Sequence, residues 1–177
     1  MMLKGKNIVI TGAGRGIGRA VAIACAKEGA NLGLTSRTLE QLNAVKEEIE
    51  ALGVDVKCII KTTDITKLTE VLETFMTFHG ELGKFNGVIA NAGASWMASA
   101  HEVPPEKFEM VINTNILGVF YTFRAAYPYL KKDDKNDKAK FIITGSAVYP
   151  SVMGGIFLVY SVEIWGRRIA KGVSNGV

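Results

Sequence analysis

The chain has 177 residues, 48% of them hydrophobic, which indicates a globular domain with a substantial core rather than a disordered polymer. The formal net charge is only +4, and aspartates interleave the densest basic stretch, 131–140, which favours a solvated loop over a nucleic-acid-binding surface. The first apolar stretch is too short for a signal peptide or a membrane span, so we expect a cytoplasmic protein with no membrane partner.

Apolar runs with strand-like spacing alternate with helix-period stripes along the chain as far as residue 144. Because parallel strands need crossover connections, which helices supply, this alternation predicts a parallel sheet with helices on both faces. Ligands of such sheets bind at the carboxyl ends of the strands. The predicted elements are strand 7–11, helix 17–28, strand 31–36, helix 39–52, strand 54–61, helix 66–78, strand 87–91, helix 105–130 and strand 140–144.

A glycine-rich turn, TGAGRGIG at 11–18, joins the first predicted strand to the first helix. Gly12 permits a tight turn, Gly16 lets the backbone approach a pyrophosphate, and Gly18 lets the helix and strand pack closely. The unpaired N–H groups at the start of the helix attract an anion. Glycine-rich turns are common, but the position of this one inside a β-α-β unit favours dinucleotide binding over an ordinary turn.

The spacing T-G-x-x-x-G-x-G resembles the classical type of the short-chain dehydrogenase/reductase family, and other motifs of that family follow in the same order. Asp64 resembles its adenine-side aspartate, NAG at 91–93 resembles its N-A-G motif, and Asn115 matches the asparagine of its fifth helix. Seen singly, these residues would be an ordinary helix cap, turn and surface amide. These motifs, together with the charge pattern around Arg15, Ser36 and Arg37, predict that the coenzyme-binding residues are Gly12, Arg15, Gly16, Ile17, Gly18, Ser36, Arg37, Asp64, Ile65, Asn91, Ala92 and Gly93.

The resemblance also implies the architecture. We expect an α/β fold in which a Rossmann-like, doubly wound parallel sheet lies between two helical layers. One domain over 1–177 would hold about five of the family's usual seven strands and would be incomplete at its C-terminus. Family members usually associate through two helices, so we expect a homo-oligomer formed through the helices near 105–130 and 160–175.

The end of the second predicted strand indicates the preferred coenzyme. A carboxylate there would bind the ribose 2′-hydroxyl of NAD(H) and repel the 2′-phosphate of NADP(H), but the residues are Ser36 and Arg37. Arg15 in the glycine turn adds a second positive charge nearby. We therefore expect NADP(H) to be preferred over NAD(H). The alternative is that both arginines are only solvent-exposed charges at the ends of loops.

The resemblance places the catalytic residues at Asn115, Ser146 and Tyr160. In the family the serine polarises the substrate carbonyl, the tyrosine transfers the proton, and a lysine one helical turn later assists the tyrosine and binds the nicotinamide ribose. Here that position holds Ile164, and the adjacent Glu163 adds a carboxylate, so both changes disfavour the ionised tyrosine. A tyrosine without assistance, with a pKa of about 10, is a poor base at neutral pH.

Two functions therefore remain open. The first is an NADP(H)-dependent oxidoreductase that moves a hydride between the nicotinamide and a small carbonyl or alcohol substrate. The alternative is a catalytically impaired or inactive NADP(H)-binding fragment. No metal is expected in either, because Cys25, Cys58, His79 and His101 lack ligand-like spacing.

Overall fold

The computed structural model of the chain describes residues 1–96, 98, 100–130 and 139–145. Within these ranges the strands and helices alternate as the apolar spacing predicts. The elements in chain order are β1 (Asn7–Thr11), α1 (Gly16–Lys27), β2 (Asn31–Ser36), α2 (Leu39–Glu50), β3 (Cys58–Thr62), α3 (Leu68–Leu82), β4 (Gly87–Ala90), α4 (Pro105–Ile112), α5 (Gly118–Ala126) and β5 (Lys140–Ile143).

The described strands form one parallel five-stranded sheet in the order β3-β2-β1-β4-β5. The central strand, β1, pairs with β2 from Asn7 to Thr11 and with β4 from Ile8 to Ile10. After β3 the chain returns across β1 to start the other half of the sheet, so the strand order switches between β1 and β4. A crevice opens at the carboxyl ends of strands at such a point. The predicted α/β, doubly wound fold is confirmed.

Each face of the sheet is covered by helices. Ile8 and Ile10 of β1 pack in the core shared with α1 and α2, whereas Val9 packs in the core shared with α3 and α5. The second core contains the fully buried rings of Phe75 and Phe78, and burying a side chain of this size stabilises the fold by about 2–3 kcal/mol. No helix in the described part of the chain has an apolar stretch long enough to cross a membrane.

The third strand begins later than the sequence predicts. The apolar pattern predicts a strand over 54–61, but β3 begins at Cys58, so the predicted start is wrong. The reason lies in the partner strand: β2 begins at Asn31 and pairs with β3 from Leu32 onward, which leaves the earlier residues no strand to pair with in the described sheet. The side chain of Asn31 instead accepts a hydrogen bond of 2.9 Å from the backbone N–H of Lys57.

The predicted helix over 105–130 is helical along its length but is not one regular α-helix. A single π-helical turn at Asn113–Leu117 separates α4 from α5, and a 3₁₀ turn at Tyr127–Tyr129 follows α5. The π turn carries Asn115, of which only 8% is exposed. Such turns are frequent at functional sites. The sequence does not reveal this π turn, because apolar residues at helical spacing continue both before and after it.

The π turn and α5 also carry large apolar side chains that are exposed in the single chain. Phe120 and Ile116 are 52% and 54% exposed. Exposed apolar residues on neighbouring turns of a helix are typical of surfaces that contact another protein. The helix near 160–175, the other half of the expected contact, lies outside the described residues, so the homo-oligomer stays a prediction.

The two cysteines are expected to react slowly in the folded protein. Burial raises the pKa of Cys58 to about 11, against a lowering by Lys46 and with a further rise from Glu50, and burial also raises the pKa of Cys25. Because the thiolate is the reactive form, Cys58 in a Cys25→Ala variant should be alkylated at least about 100-fold more slowly near pH 8 than in denaturant. Mass spectrometry of timed labelling measures the ratio, and equal rates would contradict the expectation.

Candidate functional site

An open cleft of about 490 Å³ lies at the carboxyl ends of β1, β2, β3 and β4. The loop that leaves each of these strands contributes to its wall. The structure brings together at this cleft all the predicted coenzyme-binding residues except Gly18. Those that line it are Gly12, Arg15, Gly16, Ile17, Ser36, Arg37, Asp64, Ile65, Asn91, Ala92 and Gly93.

Thr11 and Asn91 tie together the ends of β1 and β4 beneath the cleft. The hydroxyl oxygen of Thr11 accepts hydrogen bonds of 3.1 Å from the backbone N–H groups of Asn91 and Ala92. The side-chain amide of Asn91 donates in return to the carbonyl oxygens of Thr11 and Gly12, each at 3.2 Å. Thr11 is only 1% exposed, so water hardly competes for its bonds. The two strand ends are therefore held together where the glycine turn begins.

Gly12 and Gly18 lie where the turn passes closest to its neighbours. Gly12 has a φ of +66°, and a Cβ atom there would lie 2.7 Å from the Cα of Ala92. A Cβ atom on Gly18 would collide with the carbonyl oxygen of Gly12 and lie 2.6 Å from the side-chain nitrogen of Asn91. Side chains are excluded at both positions. Gly18 thus supports the turn from below, while Gly12 and Gly16 present backbone to the cleft.

Positive charge is concentrated at the part of the cleft that adjoins β2. The hydroxyl of Ser36 donates a hydrogen bond of 3.2 Å to the carbonyl oxygen of Thr38, which closes the loop between β2 and α2. Arg15 and Arg37 line the cleft and are exposed. No carboxylate in the described segments lies within ion-pair distance of either guanidinium. Both cations are therefore available to an anionic ligand.

Asp64, in the loop after β3, is held in its ionised form. Partial burial opposes ionisation, but hydrogen bonds from the backbone N–H and the hydroxyl of Thr66, at 3.0 and 2.8 Å, outweigh it and lower the pKa of Asp64. The charges of Lys67 and Arg37 lower this pKa further. The carboxylate of Glu70 accepts a hydrogen bond of 2.9 Å from the backbone N–H of Asp64. No group of carboxylate, thiol or imidazole side chains that could hold a metal occurs among the described residues.

Asn115 lies beside the cleft, since its neighbour Thr114 lines it. The amide oxygen of Asn115 accepts a hydrogen bond from the backbone N–H of Ala94, and its nitrogen donates to the carbonyl oxygen of Ala94, both at 2.8 Å. This pair of bonds holds the loop after β4 against the π turn. The catalytic role of Asn115 stays a prediction. Ser146 and Tyr160, the other predicted catalytic residues, lie outside the described residues.

Removal of the Asn115 side chain is expected to destabilise this part of the structure. Asn115→Ala would leave the N–H and C=O groups of Ala94 without their partner, which costs about 1–3 kcal/mol. Urea unfolding of this variant beside Asn113→Ala, at an exposed position of the same π turn, measures the free-energy difference. We expect a loss only for Asn115→Ala. Equal unfolding midpoints for the two variants would show that the two hydrogen bonds of Asn115 do not contribute to stability.

Several further residues that line the cleft were not predicted. Thr38 and Gln41 lie at the start of α2, and Thr63 and Thr66 flank Asp64. The rule that loops after parallel strands meet at one edge of the sheet could have found these four residues, because each follows a predicted strand. The residues missed are Gly14, Thr38, Gln41, Thr63, Thr66 and Thr114.

Comparisons with known proteins identify the family of the chain. The family model for short chain dehydrogenase matches residues 6–161. An uncharacterized oxidoreductase of Myxococcus xanthus is 33% identical over 125 residues, which are 71% of this chain and 49% of that protein. Hydroxysteroid dehydrogenase-like protein 2 of Bos taurus is 33% identical over 141 residues, covering 73% of this chain and 32% of that protein.

Among solved structures, the X-ray structure of an alcohol dehydrogenase from the archaeon Thermococcus sibiricus, complexed with 5-hydroxy-NADP, has a TM-score of 0.67. It is 34% identical, and the match covers 70% of this chain and 52% of that chain. The chain spans about half the length of the Myxococcus relative and about a third of the Bos taurus relative. The family match includes the glycine turn and every described strand, and the chain therefore belongs to the short-chain dehydrogenase family.

Proposed function

We propose that the chain binds NADP(H) in the cleft at the carboxyl ends of its strands. The observation that carries this proposal is the wall of the cleft, which contains the glycine turn with Arg15 and, beside it, Arg37. The start of α1 can accept a pyrophosphate, because a Cβ atom built on Gly16, its first residue, would meet nothing within 4 Å. The two guanidinium groups and the hydroxyl of Ser36 suit a 2′-phosphate. The ionised carboxylate of Asp64 suits the amino group of an adenine.

We further propose that the protein acts as an oxidoreductase on a small carbonyl or alcohol. The coenzyme would supply or accept the hydride, and Asn91, Ala92 and Gly93 would form the wall beside its nicotinamide half. Asn115 would keep the loop after β4 in place through Ala94. By resemblance to the family, Ser146 would polarise the substrate oxygen and Tyr160 would transfer the proton.

A second function is favoured by one position in the sequence. Ile164 stands where the family has the lysine that assists its tyrosine. An aliphatic side chain cannot favour an ionised tyrosine as an ammonium does. This residue supports a protein that binds NADP(H) in the same cleft with little or no turnover.

Fluorescence titration with NADPH, together with a carbonyl-reduction assay, tests both functions on this chain and on an Ile164→Lys variant. We expect saturable NADPH binding by both and turnover at least about 100-fold faster with the lysine, since acid–base catalysis contributes about 10²–10⁴-fold. Binding without turnover in both proteins would favour the non-catalytic function. If the chain bound neither NADPH nor NADH, the proposal would be refuted.

A further inference from the structure

Gln41 lines the cleft, yet neither a family motif nor the proposed coenzyme site above includes it. It lies in the first turn of α2 and is half-buried. Its helix neighbours Glu40 and Asn43 are exposed and are not part of the cleft wall. The helix therefore presents the Gln41 amide to the cleft and turns the adjacent polar side chains to solvent.

The side chain of Gln41 packs directly against the glycine turn. A Cβ atom built on Gly14 would lie 2.9 Å from the Cβ of Gln41, 3.0 Å from its amide oxygen and 2.9 Å from the hydroxyl oxygen of Ser36. The amide of Gln41 and the hydroxyl of Ser36 thus occupy the same small space over Gly14. Both polar groups lie between the loop that carries Arg15 and the loop that carries Arg37.

We propose that Gln41 is a specificity-determining residue that binds the 2′-phosphate of the coenzyme together with Arg15 and Arg37. The inference rests on the proposed function, because it concerns the ligand of the same cleft. An amide provides N–H donors for phosphate oxygens and carries no charge. A carboxylate of the same shape would accept bonds from the two arginines and repel the phosphate. Gln41 therefore keeps this part of the cleft positive while it adds a donor.

Calorimetric titration of the full chain with 2′,5′-ADP and with 5′-AMP tests the role, because the two ligands differ only in the 2′-phosphate. We expect Gln41→Glu to weaken 2′,5′-ADP binding by about 100-fold and to leave 5′-AMP binding within about 2-fold. Asn43→Asp makes the same chemical exchange on the exposed side of α2 and should change neither. Gln41→Met, which keeps the packing on Gly14 but lacks the donor, should weaken 2′,5′-ADP alone by about 10-fold.

The outcomes separate this inference from the function on which it rests. If the unmodified chain prefers 2′,5′-ADP and both Gln41 variants keep that preference, Gln41 does not select the coenzyme, although the cleft still binds it. If both ligands weaken equally, Gln41 only supports the turn, and the inference is overturned. If the unmodified chain binds neither ligand, the proposed function fails and this inference fails with it. Should Gln41→Glu fail to fold, the result for Gln41→Met decides.

Discussion

Gly18→Ala is expected to weaken NADPH binding by at least about 100-fold, although Gly18 does not line the cleft. The added methyl group would meet the carbonyl oxygen of Gly12 and the side chain of Asn91, and a backbone atom cannot rotate away as a flexible side chain can. The turn must shift, and because a misplacement of about 1 Å in a site can cost about 100-fold in rate, we expect a loss of similar size in NADPH affinity. Overpacking of this kind also costs about 1–3 kcal/mol of stability.

Gly80→Ala is the matched control for this substitution. Gly80 lies within α3, and a Cβ atom there would meet nothing within 4 Å. Alanine at this position should stabilise the helix by about 0.5–1 kcal/mol and leave NADPH binding unchanged. Fluorescence titration and urea unfolding of both variants provide the two measurements. If Gly18→Ala binds NADPH as tightly as Gly80→Ala does, the close packing beneath the turn is not needed for the site.

The parts of the site that the sequence predicts are those fixed by neighbours along the chain. Gly12 and Gly18 belong to one turn, and the need for each follows from a strand that passes directly into a helix. The N-A-G segment is predicted by its resemblance to the family motif at the end of a predicted strand. Thr11 completes this arrangement through its bonds with Asn91, and its place at the end of the first strand is visible in the sequence.

The parts that the sequence does not predict depend on elements distant along the chain. The start of β3 follows from where β2 begins, so the apolar residues from Val54 onward could not reveal it. The π turn around Asn115 occurs where this residue forms hydrogen bonds with Ala94, which lies in another loop. Gln41 is likewise a polar residue on an amphipathic helix until the structure brings its side chain to Gly14.

The proposed choice between the two coenzymes rests on charge at the part of the cleft that adjoins β2. Arg37 follows the last residue of β2, and Arg15 approaches from the glycine turn. A carboxylate at position 37 would remove one of these cations and place a negative charge where the 2′-phosphate is proposed to bind. The same carboxylate could accept hydrogen bonds from the ribose hydroxyls of NADH, which lacks the phosphate.

Arg37→Asp is therefore expected to shift the proposed preference for NADPH toward NADH. Loss of one cation and gain of a like charge should weaken NADPH binding by about 100-fold, which corresponds to about 2.7 kcal/mol. Arg124→Asp makes the same charge change at an exposed position of α5, outside the cleft wall, and should leave both affinities unaltered. Parallel titrations with NADPH and NADH measure the ratio. An unchanged ratio of NADPH to NADH affinity in Arg37→Asp would mean that Arg37 is only a solvent-exposed charge in its loop.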